Sequence, residues 1–144
     1  MIDIRALDFA YPGSGFRLHI PSFALGDGER LAVIGPSGSG KTTLLNLVSG
    51  IITPQRGQVR VAGTDLGSLS DARRRAFRIR NVGFVFQDFE LLDYLDVLDN
   101  ILHPYRISDA LRLDRTVRTR AQRLADDLGV GDKSSRATRV TSPR

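Results

Sequence analysis

The chain has 144 residues, 41% apolar and 26% charged, with a net charge of +5 and no cysteine. This suffices for one globular domain with a proper core, and it excludes disulfide frameworks and thiolate metal sites. No apolar run approaches the length of a membrane span and the N-terminus lacks the pattern of a signal peptide, so the chain reads as soluble and intracellular.

The basic excess, 21 Lys and Arg against 16 Asp and Glu, interleaves with acids on helical stretches and has no aromatic stacking platform beside it. A solvated helical face accounts for it better than nucleic acid, which is not expected as a partner. His19 and His103 stand alone, without metal-ligand spacing.

In chain order, Ile2 to Phe9 alternates apolar and polar residues and Phe16 to Ile20 does so again. With the turn-forming Tyr11-Pro12-Gly13-Ser14-Gly15 between them, the pair predicts an antiparallel hairpin. Tyr11 has two readings at this point, packing on its own hairpin or stacking on a base. Asp27-Gly28 turns the chain into Arg30-Leu31-Ala32-Val33-Ile34, an apolar, β-branched run that reads as a buried strand.

Next stands Gly35-Pro36-Ser37-Gly38-Ser39-Gly40-Lys41-Thr42-Thr43, which fits the phosphate-binding pattern G-x-x-x-x-G-K-[ST]. Glycines let the backbone curl around phosphate oxygens, and successive N–H groups form an anion nest at the positive end of the following helix. In that pattern Lys41 reaches the β and γ phosphates and the Thr42 hydroxyl takes a place on Mg²⁺. Thr43 to Ser49 carries leucines at helical spacing and stops at Gly50. Strand, glycine loop and helix together predict a nucleotide site.

Thr53 to Gly57 breaks the chain, Gln58 to Ala62 reads as a strand, and Gly63-Thr64-Asp65 as a turn. Ser68 to Arg80 predicts a helix capped by Ser70, with Arg73, Arg74, Arg75 and Arg78 as a charged exposed face. Asn81 to Phe86 is a second apolar strand by composition, ending at Gln87-Asp88. Ligands of α/β folds gather beyond strand carboxyl ends, which places Gln87 toward the pocket of Lys41. Asp96 caps a helix over 97–102 with a break at Pro104. From Leu111 to Leu128 a helical stripe of Leu113, Val117, Ala121, Leu124, Ala125 and Leu128 faces away from arginines. Residues 134–144 have neither period nor apolar cluster and read as a disordered tail.

The loop Gly35-Pro36-Ser37-Gly38-Ser39-Gly40-Lys41-Thr42-Thr43-Leu44-Leu45, the later Val82-Gly83-Phe84-Val85-Phe86-Gln87, then Leu91-Leu92 and Val97-Leu98-Asp99-Asn100-Ile101, resemble the ATP-binding subunits of ABC transporters. The resemblance runs over residues 1–136 and is strongest, over 66–79 and 88–101, to exporters of the lipoprotein-release and macrolide-efflux type. It implies an α/β fold: a phosphate-loop NTPase core, an antiparallel N-terminal β-subdomain and a helical subdomain over about residues 91–130, with 137–144 a tail.

It also implies roles. Tyr11 matches the adenine-stacking aromatic, and Gln87 the glutamine that contacts Mg²⁺ and the attacking water; the implied catalytic pair is Lys41 with Gln87. Residues 89–94 match the surface that docks a short helix of the permease. Implied cofactors are ATP and Mg²⁺. Implied partners are a membrane permease and a second nucleotide-binding subunit, at the cytoplasmic face of the membrane.

The family's Leu-Ser-Gly-Gly-Gln signature loop, Asp-Glu strand end and switch histidine do not occur in this sequence. The expectation is therefore a truncated or frameshifted subunit that binds Mg-ATP weakly and hydrolyses little or none alone. A chain that binds only nucleotide or permease is the alternative. A GTPase is disfavoured because Asn-Lys-x-Asp is absent.

Overall fold

The structure is a computed structural model and describes residues 1–85 and 91–131. It divides into two compact units, Met1–Arg78 and Ile79–Arg144. In the first, strands β1 (Ile2–Ala10), β2 (Arg17–Leu25), β3 (Arg56–Val61) and β4 (Thr64–Asp65) form one antiparallel sheet in the order β2-β1-β3-β4. Helices α1 (Lys41–Val48) and α2 (Asp71–Asn81) follow the phosphate-loop sequence and β4 respectively.

The hairpin forms as its alternation predicts, but β1 does not alternate throughout. Arg5 pairs with Gln58 and Asp8 with Arg56, so Ala6 and Leu7 together oppose the single residue Gly57. This β-bulge turns Leu7 rather than Ala6 into the core, beside Ile4, Phe9, Val59, Leu47 and Leu66. Ala6 takes a left-handed φ of 45° and Gly57 a φ of 82°. A Cβ on Gly57 would stand 2.2 Å from the Ala6 carbonyl oxygen, so only glycine fits there. Pro21 lies within β2, an edge strand, where a missing N–H is tolerated. The turn into β4 is Ala62-Gly63, both at positive φ, one residue earlier than composition suggested.

Two expected strands are absent among the described residues. Residues 30–36 and 82–85 are irregular, and Ile34 and Val85 are 92% and 97% exposed. A strand of a parallel core needs hydrogen-bonding neighbours, and among the described residues neither segment pairs with one, so local apolarity alone does not make it a strand.

The α2 arginines also depart from the exposed face expected of them. Arg73 and Arg75 are exposed, whereas Arg74 is half-buried and donates to the Leu69 carbonyl at 2.8 Å, with Asp71 as its ion-pair partner. Arg78 donates to the Gly50 carbonyl at 3.1 Å, placing a cation just past the C-terminus of α1. Ser70 caps α2, accepting from the Arg73 N–H at 3.4 Å.

In the second unit α3 (Val97–Ile107) and α4 (Arg115–Asp127) bury Leu102, Ala121 and Ala125. Asp96 caps α3 as expected, accepting from Asp99 N–H at 2.6 Å, and Asp114 caps α4. Pro104 does not end α3; the helix continues three residues beyond it, to Ile107. Proline removes the N–H that would reach the Asn100 carbonyl and crowds that carbonyl with its ring, and packing of α3 on α4 outweighs the cost. The expected tail and Gln87 lie outside the described residues. Among the described residues no helix is long and apolar enough to cross a membrane.

Candidate functional site

The phosphate-loop sequence folds as a tight turn into α1: the Ser39 N–H donates to the Pro36 carbonyl at 3.3 Å, and Leu44 N–H to Gly40 O at 2.8 Å. Gly38 and Gly40 adopt φ values of 79° and 93°, which residues with a Cβ rarely take. Gly40 is also packed closely, since a Cβ there would lie 2.9 Å from the Phe16 ring. At Gly35 a Cβ would lie 2.8 Å from the Ser39 hydroxyl.

Gly40 occupies the N-cap of α1 and supplies no side-chain acceptor, and the first turn holds no acid. The other three helices among the described residues are each capped by a side chain, Ser70, Asp96 or Asp114. At α1 the N-terminal donors and the positive end of the helix, equivalent to roughly half a unit charge, are left to whatever anion the loop receives.

Lys41 folds back across this loop. Its Nζ donates to the Gly35 carbonyl at 2.9 Å and the Pro36 carbonyl at 2.8 Å. An ammonium has three N–H donors, so one remains for an incoming oxygen. The two carbonyl bonds fix the cation inside the loop in advance of any ligand.

A cleft of about 410 Å³ opens beside the loop, within the size range of small-molecule sites. Tyr11, Ser37, Gly38, Gly40, Lys41, Thr42 and Thr43 line it, with Ser14 and Phe16. Gly35, Pro36 and Ser39 form the back of the loop, through the bonds to Lys41 and the turn. Among the described residues no carboxylate lines the cleft, and Lys41 is the cation that does.

Tyr11 is fixed from several sides. Its ring meets Phe9 edge-on at 4.8 Å and Phe16 at 5.9 Å with a 41° tilt. Its hydroxyl shares a hydrogen bond of 3.3 Å with the hydroxyl of Thr43, the buried residue of the α1 first turn. The ring remains 39% exposed, as a wall of the cleft. Tyr11 therefore packs on its own hairpin, and the same ring faces the loop. Phe16 and Ser14 were not singled out by the sequence, although an aromatic placed directly after the hairpin turn was the available signal for Phe16.

A divalent cation finds fewer ligands. Thr42 offers one hydroxyl at the cleft, and the described residues contain no group of three His, Asp, Glu or Cys arranged to hold a metal. Such a site suits Mg²⁺ carried mainly by phosphate oxygens and water. Gln87, the other expected metal contact, lies outside the described residues.

Comparisons with known proteins agree with this geometry. The ABC transporter family model matches residues 18–142. The lipoprotein-releasing system ATP-binding protein LolD of Chromohalobacter salexigens is 45% identical over 93 residues, covering 65% of this chain and 39% of that protein. LolD 1 of Rhodopirellula baltica is 34% identical over 99% of this chain and 62% of its own length. The macrolide export ATP-binding/permease protein MacB of the same organism is 40% identical over 74% of this chain and 16% of its own. Among solved structures, the dimeric ATP-binding cassette MJ0796 bound to ADP and Pi superposes with a TM-score of 0.70 at 26% identity, over 88% of this chain and 57% of that one. The chain spans less than two thirds of the length of each of these relatives, from 16% to 62%. A glycine loop on an uncapped helix, an α/β fold shared with a solved cassette and a family match over most of its residues place this chain in the ABC transporter ATP-binding cassette family.

Proposed function

We propose that this chain binds Mg-ATP at the loop of residues 35–43, as the nucleotide-binding part of a transporter ATPase coupled to export. The observation that carries the reading is the uncapped N-terminus of α1 beside a cleft whose fixed cation is Lys41. The triphosphate sits on the N–H groups of residues 38–43, with Lys41 on the β and γ phosphates. Thr42 holds Mg²⁺ with the phosphate oxygens, and Tyr11 lies against adenine. Gln87 is assigned to Mg²⁺ and the attacking water from its place after Val82–Phe86 in the sequence.

Export, as the direction of transport, is inferred from the names of the LolD and MacB relatives, one a lipoprotein-releasing system and one a macrolide exporter. A second cassette is inferred from the dimeric MJ0796 structure and a permease from the ATP-binding/permease name of MacB. Residues 91–130 are read as the helical subdomain. Their leading edge, with Leu91 60% and Tyr94 75% exposed, is read as the permease-facing surface, at the inner face of the membrane.

Hydrolysis by this chain alone is expected to be at background, because no carboxylate among the described residues lines the cleft to polarise water and the sequence holds no signature loop. Calorimetric titration with Mg-ATP tests the binding. Lys41→Met should weaken it by about 10- to 100-fold, the scale of a lost charge-assisted bond. Equal affinity in the variant, or phosphate release at the rate of a complete subunit, would overturn the reading.

A further inference from the structure

The end of β1 carries a backbone defect that one side chain repairs. Past the bulge the β1–β3 register is Asp8 opposite Arg56, and continued by two residues it sets Ala10 opposite Pro54. Proline has no N–H, so it cannot donate to the Ala10 carbonyl as a strand residue would. Gln55 fills the gap. Its backbone N–H donates to the Asp8 carbonyl at 2.9 Å, and its carboxamide then turns to Ala10. Gln55 Nε2 donates to the Ala10 carbonyl at 2.9 Å, and Gln55 Oε1 accepts from the Ala10 N–H at 2.7 Å. A carboxamide carries the same donor and acceptor pair as a peptide group. It therefore reproduces both ladder bonds at the position where Pro54 could supply at most one.

Ala10 is the last residue of β1, and the next residue is Tyr11. We propose that Gln55 is a positioning residue of the nucleotide cleft: by pinning both backbone polar groups of Ala10 it sets the exit of β1, and so the placement of the Tyr11 ring against a purine base. This rests on the nucleotide reading above and adds the residue that governs its base-side wall. Gln55 itself does not line the loop cleft, whereas Tyr11, next to Ala10 in the chain, does. The phosphate side of the site is held by other bonds, those of Lys41 to Gly35 and Pro36.

That division of labour gives the test. Gln55→Ala, Gln55→Glu, Tyr11→Ala and the Gln55→Ala/Tyr11→Ala pair are titrated with Mg-ATP and with inorganic Mg-tripolyphosphate, and the hydrogen exchange of the Ala10 amide is followed without ligand. Gln55→Ala should lose protection at Ala10 and about three- to ten-fold of its ATP affinity, the scale of one or two hydrogen bonds, with tripolyphosphate affinity kept within about two-fold. Gln55→Glu keeps the acceptor and offers no donor, so it should fall between. In the Tyr11→Ala background Gln55→Ala should cost no further ATP affinity.

Equal losses for both probes, unchanged protection at Ala10, or losses that simply add to those of Tyr11→Ala would each overturn the assignment. Failure of the unsubstituted chain to bind either probe would overturn the nucleotide reading, and the assignment with it. Unchanged Ala10 protection in Gln55→Ala overturns the Gln55 assignment alone.

Discussion

Gly57→Ala is the sharpest perturbation of the sheet. Gly57 sits at a φ of 82° opposite the bulge, and an added Cβ would meet Ala6 O at 2.2 Å, Ala6 C at 2.4 Å and Arg5 O at 2.5 Å. All three are backbone atoms of the neighbouring strand, so no rotamer change relieves the contact. Two costs follow: about 1–2 kcal/mol for an alanine at positive φ, and a further ~1–3 kcal/mol for displacing packed structure. A total of about 2–5 kcal/mol is a large part of the stability of an ordinary domain. Gly63→Ala is the matched control: its φ is 77°, but its Cβ would have nothing within 4 Å. It should cost only the first term, about 1–2 kcal/mol. Urea denaturation followed by far-UV circular dichroism measures both. If Gly57→Ala proved no worse than Gly63→Ala, the bulge would not be rigid and the steric argument would be wrong.

Two further predictions concern side chains away from the loop. The Asn100 side chain accepts from the Leu92 N–H at 2.9 Å and donates to the carbonyls of Leu92 at 3.1 Å, Leu95 at 3.1 Å and Asp96 at 3.0 Å. Asn100→Ala leaves these groups without it and should destabilise by about 2–3 kcal/mol; the Leu92 amide should exchange faster, and unchanged exchange would refute this. The Arg5 guanidinium, donating to both Asp3 oxygens at 3.0 and 2.9 Å, holds the Asp3 carboxyl below its ordinary value of 3.8. A lowered folded-state value means that the contribution is present above the unfolded pKa and is lost as pH falls through the folded one. An NMR titration should show the Asp3 midpoint rising in Arg5→Ala; a midpoint that stays put would show that the pair does not interact in solution.

Features set by local chemistry were legible in the sequence: the hairpin, the phosphate loop with its helix, the Ser70 cap of α2 and the Asp96 cap of α3. The caps and the loop depend on residues within a few positions of one another, and the hairpin on two adjacent strands joined by one turn. The failures were non-local. Arg30–Ile34 and Val82–Val85 have the composition of strands, but strand formation needs a neighbour that no window of sequence contains. Pro104 is a local helix breaker overridden by the packing of α3 on α4. Arg78 looked like part of a solvated face until the fold brought the Gly50 carbonyl, 28 positions away, within its reach, whereas the bond of Arg74 to the Leu69 carbonyl is local.

The bulge could have been read, since the apolar phase of β1 slips from Ile2 and Ile4 to Leu7 and Phe9, and its consequence reaches the site. Had the register of Arg5 with Gln58 run on unchanged, Ala10 would have faced Thr53, a residue with a backbone N–H, and needed no side-chain substitute. The extra residue in β1 moves the register by one, to Asp8 opposite Arg56; extended past the start of β3, that register would set Pro54 opposite Ala10, where the Gln55 carboxamide takes both backbone polar groups instead. The loop was visible because its residues are contiguous. Gln55 was not, because its meaning lies in the pairing of strands forty-five positions apart. It follows that Gly57, which makes the bulge possible, is tied to the base-side wall through the register. A substitution there should weaken Mg-ATP binding as well as the sheet, and Gly63→Ala, at the far end of β3, should not.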